Sequence, residues 1–504
     1  MFDAGVAGFL ATETFGQRSP RPMTILPLDP VTNATPAALH SFLEQCRDQA
    51  ARDAHTKLVS ISLAVDALDP LAVLESIFEP GEPHFYAERP SLDSAIAGAE
   101  AVAIVEARGP ERFAVVQRFV DDTLAHTIAV GDVSAPFGGP HFFTSFAFSD
   151  EVESGEVFPA ARAFVPRWQV ARAGDRTTAV ANLLVTAGAP IDRLVEKVWR
   201  AHQKFRAFDY AIAPSANQPT ARRSTDAGTK TLLYAKDGDG GNYRAAVQAA
   251  LDRIAAGEFN KIVLARTRTI SAPEALHPLR MLNGLRQRFP DCYAFSVANG
   301  KGQSFIGATP ERLARVSRGV LETEALAGSA PRGTTASEDA VHGGALLRSE
   351  KDRREQKLVL DSICRRLAPL GLKLEFSSEP TLRRLANVQH LQTAVRATLP
   401  EPVRLLDVIA RLHPTPAVGG SPREAAIARL LELEGFPRGL YAGALGWLNA
   451  RDGGEFFVGL RSALVDGRTA CLFAGAGIVA GSSPEREFAE TELKFRAIQD
   501  ALLP

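Results

Sequence analysis

The sequence predicts an α+β fold, with large and mostly antiparallel sheets packed against helices. Two observations carry this reading. Runs with strand character outnumber runs with helical periodicity, and the helical runs are grouped between blocks of strands. No stretch repeats at a fixed period. The 504 residues suffice for one large domain or two to three ordinary ones, and 45% hydrophobic with 23% charged residues is a globular composition.

In chain order, residues 1–35 carry several prolines and no sustained periodicity, and read as a loose N-terminal segment. Residues 36–53 have a helical pattern. "TKLVSISLAV" (56–65) alternates as a strand, and "EAVAIVEAR" (100–108), "ARAFVPRWQVARA" (161–173) and "TTAVANLLV" (177–185) are further strand candidates. A helix follows near 191–206. "SANQPTARRSTDAGTK" (215–230) is polar and turn-rich, a linker or long loop.

Beyond it the pattern is more regular. Helices are expected at 241–257, 274–288, 349–368 and 484–502. Strands are expected at 261–270, 292–298, 304–309, 312–318, 389–399, 440–450, 455–466 and 469–480.

Several function classes are excluded. The formal net charge is −1 and no basic stripe is present, so nucleic acid is not an expected partner. No apolar run reaches the roughly 18 residues of a membrane span. The N-terminus has no basic start and carries early Asp and Glu, which argues against a secretory signal. Cys46, Cys292, Cys364 and Cys471 form no CxxC pair and have no His at ligand spacing. They read as buried apolar residues of a reducing compartment, and the expected location is the cytoplasm.

The chemistry-bearing residues start with "GSSPEREFAETELKF" (481–495), which follows the apolar "ACLFAGAGIVA". Glu487 and Glu490 share a helix face at i,i+3, and so do Asp352 and Glu355. Two such helices can hold a hard divalent cation between them, although acidic helix faces are most often just solvated. Glu311 follows the small or apolar "SFIGAT". A carboxyl there can have a raised pKa and act as a general acid; the plainer role is a helix N-cap or an ion pair with Arg312.

Lys261 opens an apolar strand and can serve as a base near neutral pH, or simply reach solvent at a strand edge. "ALAGSAPRG" (325–333) and "FAGAGIVAG" (473–481) are Gly-rich segments whose backbone N–H groups can approach an anion. Arg461 is a lone cation in an alternating apolar strand. It needs a partner, either an internal carboxylate or a ligand's. His390 and the histidine of "RLHPTPAVGG" are each more often satisfied core residues than catalytic ones.

Taken together the motifs are specific. "FNKIVLAR", "FIGATPERL", "ALAGSAPRG", "SEKDRREQKLV", "QHLQT", "LHPTPAVGG", "YAGALGW", "FVGLRSA" and "GAGIVAGSSPEREFAETELK" occur in the order seen in chorismate-utilising enzymes, and over about residues 240–500 the chain resembles that family. Its members include isochorismate, salicylate, anthranilate and aminodeoxychorismate synthases. Upstream, "EPHFYAERP" (82–90) and "ARAFVPRWQ" (161–169) look like the more variable N-terminal half of isochorismate synthases, especially those of menaquinone biosynthesis.

The resemblance implies one α+β body of two large stacked sheets with helices outside. Residues 36–230 would then form its variable N-terminal half and 231–504 the chorismate-binding catalytic region. It implies that Lys261 activates water for attack at C2 of chorismate and that Glu311 protonates the departing C4 hydroxyl. Glu355 and Glu490 match Mg²⁺ ligands, with Asp352 and Glu487 beside them. Arg461, Tyr441 and the Gly475 backbone match the grip on the enolpyruvyl carboxylate. Gly328 and Ser329 match the ring-carboxylate site, with Lys494 near, and His390 a pocket histidine by the leaving group.

Lysine at 261 points to water as nucleophile, and Ala417 in "TPAV" resembles isochorismate synthases. Two departures stand out: Gln356 replaces the usual histidine after the metal-ligand glutamate, and Arg486 sits inside "EREFAE". The expected activity is Mg²⁺-dependent isomerisation of chorismate to isochorismate, for menaquinone first and for siderophore or salicylate supply second. The alternatives are a salicylate synthase, which would release pyruvate, and a non-catalytic binding subunit. The latter would lack Lys261, Glu311, Glu355 or Glu490, and all four are present. The expected assembly is a monomer or weak homodimer.

Overall fold

The computed structural model describes residues 23–26, 35–206, 234–237, 242–385 and 388–502. The 215–230 linker lies outside them. Hydrogen-bonded pairing links all 22 described strands into one network. Only the pairings of Thr127–Gly131 with Thr24–Leu26 and with Lys57–Val65 are parallel, so the body is mostly antiparallel.

At one end the short strands Glu375–Phe376 and Thr381–Arg384 pair with Val388–Thr398, which pairs on its other side with Val320–Pro331. Arg312–Ser317, Gly454–Val458 and Ala444–Asn449 follow in turn. Ala444–Asn449 pairs with His141–Phe146, and this with Ala161–Ala173. That strand also runs along Ser94–Ala107, from which the order continues to His84–Arg89, Tyr293–Ala298 and Gln303–Thr309. Ser462–Asp466, Thr469–Val479 and Lys261–Ser271 complete it. Strands from the first 230 residues therefore pair directly with strands of the second half.

The network folds back on itself. Phe85 stacks on Phe143 at 4.7 Å and Tyr293 on Phe457 at 5.0 Å, although neither pair lies on hydrogen-bonded neighbours. These contacts are face to face, which makes the two halves of the network the two stacked sheets. Their inner faces supply the largest core, where Phe85, Phe143, Phe295, Phe456 and Phe457 are all buried. Each ring removes a large apolar area from water and prefers such offset stacking.

Helices cover the outside, and their ends follow local chemistry. Pro36–Asp53 starts at Thr35, whose hydroxyl accepts from Ala38 N, with proline in the first turn. Glu350–Leu367 starts at Ser349, whose hydroxyl accepts from Asp352 N at 3.3 Å. No helix among the described residues is long and apolar enough to cross a membrane.

Three departures from the sequence reading have physical reasons. The strand expected at 100–108 spans Ser94–Ala107; near its start "AIAGA" (95–99) is buried at every position, so it shows no alternation. The strand expected at 455–466 is two strands, Gly454–Val458 and Ser462–Asp466. The break falls at Arg461, whose φ of 46° ends the extended run. "ALAGSAPRG" is mostly the end of the strand Val320–Pro331.

Candidate active site

Lys261 and Glu311 enter one site from different parts of the chain, Lys261 from a strand and Glu311 from a connection between strands. Lys261 opens the strand Lys261–Ser271, which pairs residue for residue with Thr469–Val479. Its side chain is 13% exposed, and Nζ lies 2.9 Å from Glu355 Oε1 on the helix Glu350–Leu367. Gly477 makes room for it, since a Cβ there would stand 3.3 Å from Lys261 Cε.

Glu311 sits in the connection after Gln303–Thr309 and begins no helix. Arg312 pairs with Glu322 instead, so neither plainer role applies. The Glu311 carboxyl is pushed up to about 7, first by burial and then by the Glu324 carboxylate; a hydrogen bond from Thr415 (3.4 Å) and the charge of Lys261 act against the rise. A group poised there is suited to give up a proton near neutral pH.

Next to it the strand Val320–Pro331 bulges at Gly328. Gly328 has φ +70, and a Cβ there would stand 3.0 Å from Asp352 Cβ, so glycine lets helix and strand approach. Ser329 Oγ lies 2.9 Å from His390 Nδ1, and the Gly328 carbonyl 3.3 Å from it. Burial, followed by the charge of Arg461, holds His390 down to about 4, so its ring is neutral at neutral pH. Its Nε2 is buried and has no partner among the described residues. The other histidine, His413, is a core residue 4% exposed, with Nε2 3.2 Å from the Ala147 carbonyl.

Arg461 has no carboxylate partner among the described residues. Its nearest polar contact is Cys292 Sγ at 3.8 Å. Of the two partners the sequence allowed, the structure leaves room for the ligand. The residue after Tyr441, Ala442, also has positive φ (59°), as Arg461 does. Such backbone costs about 1–3 kcal/mol per residue and is kept where surroundings hold it.

Tyr441 stacks on Phe473 at 5.1 Å, and a Cβ at Gly475 would stand 2.8 Å from its hydroxyl. Lys494 Nζ donates to the Gly475 carbonyl and to Glu490, both at 2.7 Å. Below them lies a buried ion pair that sequence reasoning missed. Arg438 binds Glu434 and donates to the carbonyls of Val418 (2.7 Å) and Val263 (2.6 Å). Glu434 accepts from Ala265 N at 2.7 Å. The pair fastens the loop that carries Ala417 to the strand that carries Lys261.

The four proposed metal carboxylates are oxygen donors on two helices, which is the donor chemistry a hard cation wants. They are not assembled around one point. As the side chains stand, no group of three or more His, Cys, Asp or Glu among the described residues is gathered into a metal site. Glu355 pairs with Lys261, Glu490 with Lys494, and Asp352 accepts from the Ser349 hydroxyl. Glu487 is raised in pKa by burial first and then by Glu490. Glu492 does structural work, pairing with the buried Arg266. Gln356 is 3% exposed and donates to Thr393 Oγ1 at 2.7 Å, holding the helix against the strand Val388–Thr398.

The family profile described as "Chorismate binding enzyme" matches residues 41–503. The chain belongs to the chorismate-binding enzyme family. It is 34% identical over 468 residues to the "Salicylate biosynthesis isochorismate synthase" of Pseudomonas aeruginosa, covering 92% of this chain and 94% of that one. It is 31% identical to "Isochorismate synthase MenF" of Bacillus subtilis, covering 89% and 94%. Among solved structures, MenF, "the Menaquinone-Specific Isochorismate Synthase from Escherichia Coli", superposes with TM-score 0.71 at 25% identity, over 92% of this chain and 100% of that one. Anthranilate synthase component I of Streptococcus pneumoniae shares the fold at TM-score 0.63 and 19% identity, over 81% and 92%.

Within this candidate site, Glu324 and Arg383 are further residues that sequence reasoning missed. Glu324 is 8% exposed and pairs with Arg383 at 2.6 Å; Arg383 lies opposite His390 in the strand register. The available signal was a carboxylate inside the apolar run "LETEALAG", which called for a partner just as Arg461 did.

Proposed function

We propose that this chain converts chorismate to isochorismate. The observation that carries the reading is a buried carboxyl, Glu311, pushed up to about 7 in the same site as a half-buried lysine, Lys261. Likeness along nearly the whole chain to proteins named isochorismate synthase supports it.

Chorismate is a dianion, and fixed positive charge must receive it. Arg461, unpaired by any described carboxylate, takes the enolpyruvyl carboxylate, with Tyr441 and the Gly475 backbone beside it. A water attacks C2 and gives a proton to Lys261 Nζ as its oxygen bonds to carbon. Both ring double bonds shift, C1=C2 to C1=C6 and C5=C6 to C4=C5, and the C4–oxygen bond breaks. Glu311 protonates the departing hydroxyl, which leaves as water. His390, neutral, lines the pocket near the leaving group.

Glu355 and Glu490 would hold Mg²⁺, with Asp352 and Glu487 through water, and the cation would neutralise a substrate carboxylate.

We assign menaquinone supply as the pathway, on the likeness to proteins named MenF. Salicylate or siderophore supply is the second reading, favoured by the name of the Pseudomonas relative. The four cysteines are all free thiols, which supports a reducing, cytoplasmic location, and the chain is taken to act as a monomer or weak homodimer.

The test is incubation of purified protein with chorismate and Mg²⁺, separating products by liquid chromatography and assaying pyruvate. Isochorismate without pyruvate is expected. Salicylate with stoichiometric pyruvate would make it a salicylate synthase, and turnover only with ammonia would refute water as the nucleophile.

A further inference from the structure

A cavity adjoins Glu311 and, beyond Glu324 and Ala417, is walled by residues that the reaction as written does not use. Its volume is about 20 Å³, enough to hold water, and its polar wall is made by Glu311, Arg312, Thr323, Glu324, Ser362, Arg366 and Thr415. The remaining wall includes aliphatic side chains from the helices Glu350–Leu367 and Leu405–Leu412.

Two polar atoms of this wall lack partners. Ser362 is 2% exposed and its Oγ makes no hydrogen bond, and Arg312 Nε is likewise buried and unpaired. A polar cavity with orphaned donors and acceptors is a place for ordered water. The wall also has a direction. Glu355, Ser362 and Arg366 are spaced i, i+7 and i+11 on one helix, so they form a stripe along one face. Its far end is half-buried Arg366, which donates to the carbonyls of Leu412 (3.1 Å) and Pro414 (2.8 Å). Its near end is Glu311, which the Thr415 hydroxyl already contacts at 3.4 Å.

We propose that this cavity is a water-filled proton entry to Glu311, with Ser362 and Thr415 positioning its waters and Arg366 at its outer end. The inference rests on Glu311 being the general acid. Each turnover leaves Glu311 as a carboxylate and Lys261 as an ammonium, so one proton must reach Glu311 and one must leave Lys261 before the next. Lys261 gives up its proton on the substrate side. Glu311 regains one from solvent through the cavity, without waiting for the substrate side to empty.

Ser362→Val and Ser362→Ala test the route; the smaller change covers the case in which valine does not fit. In both, kcat is expected to fall about tenfold, a part of the roughly 10²–10⁴-fold that acid–base transfer is worth. kcat/KM stays unchanged, because refilling follows the chemical step. Added imidazole buffer restores kcat in a saturable way, while the unmodified protein shows no buffer dependence. A packing role for Ser362 cannot produce buffer rescue. Unchanged kcat, or equal losses in kcat and kcat/KM without rescue, overturns the route. Glu311→Gln in the same assay separates the two levels. If it turns over normally, the acid reading falls and the route with it; if it is inactive while both Ser362 variants are silent, only the route falls.

Discussion

Replacing Glu324 with glutamine tests how the site sets the acidity of Glu311. The Glu311 carboxyl is pushed up to about 7, chiefly by burial and next by Glu324. An ordinary glutamate titrates near 4.3 and would be less than about 0.1% protonated at pH 7.5; at about 7 the protonated fraction is roughly one quarter. The environment therefore raises the competent fraction by a few hundredfold. Glu324→Gln removes the repulsion and also frees Arg383, now paired with Glu324 at 2.6 Å, whose positive charge lowers Glu311 further. Both effects have the same sign.

The alkaline limb of kcat/KM, from initial rates of chorismate loss between pH 5.5 and 9, should sit near pH 7 in the parent. In the variant it should move down by about half a unit to one unit, equivalent to about 0.7–1.4 kcal/mol. A limb that stays put or moves up would refute the assignment of Glu311 as the titrating acid. The sign for stability is opposite to that of a salt-bridged carboxylate. A raised carboxyl costs nothing below its unfolded pKa, and its cost grows as pH rises to about 7, then levels off.

Other outcomes follow from the same geometry. Lys261→Ala should cut turnover by about 10²–10⁴-fold while chorismate binding, read by calorimetry, survives; loss of binding would make Lys261 a positioning residue. Glu490→Gln should raise the Mg²⁺ needed for half-maximal rate by more than the about 10–100-fold that losing an outer partner costs, and an unchanged requirement would remove Glu490 from the metal set. Arg438→Ala leaves Glu434 buried without its cation, which should cost about 3–5 kcal/mol and lower the melting temperature; a small change would show that the brace under the Ala417 loop is dispensable.

Much of the fold was legible because its elements obey simple periods. The helix at 36–53 and the strand at 161–173 match the structure to the residue, the helix because its Thr35 cap and Pro36 mark its start and the strand because it is a long run between turn-forming residues. His84–Arg89, His141–Phe146 and Thr127–Gly131 were not recognised as strands, because strands buried on both faces show no alternation. The site followed the same logic. Arg461 was suspicious as a charge in an apolar run, and the structure leaves it without a carboxylate among the described residues. Glu324, equally suspicious in principle, gave no such prompt, and its carboxylate adds to burial in raising Glu311. Arg438 and Glu434 gave no signal, since four-residue spacing on a helix end reads as an ordinary surface pair and only the fold shows that both are buried.

The central claim is that water, activated at Lys261, displaces the C4 hydroxyl protonated by Glu311. Turnover of chorismate in ¹⁸O-labelled water, with the product analysed by mass spectrometry, tests it most directly. The account predicts isochorismate carrying one ¹⁸O at C2 and none at C4. Unlabelled isochorismate would mean that the original hydroxyl migrates within the ring, and would contradict both assigned roles.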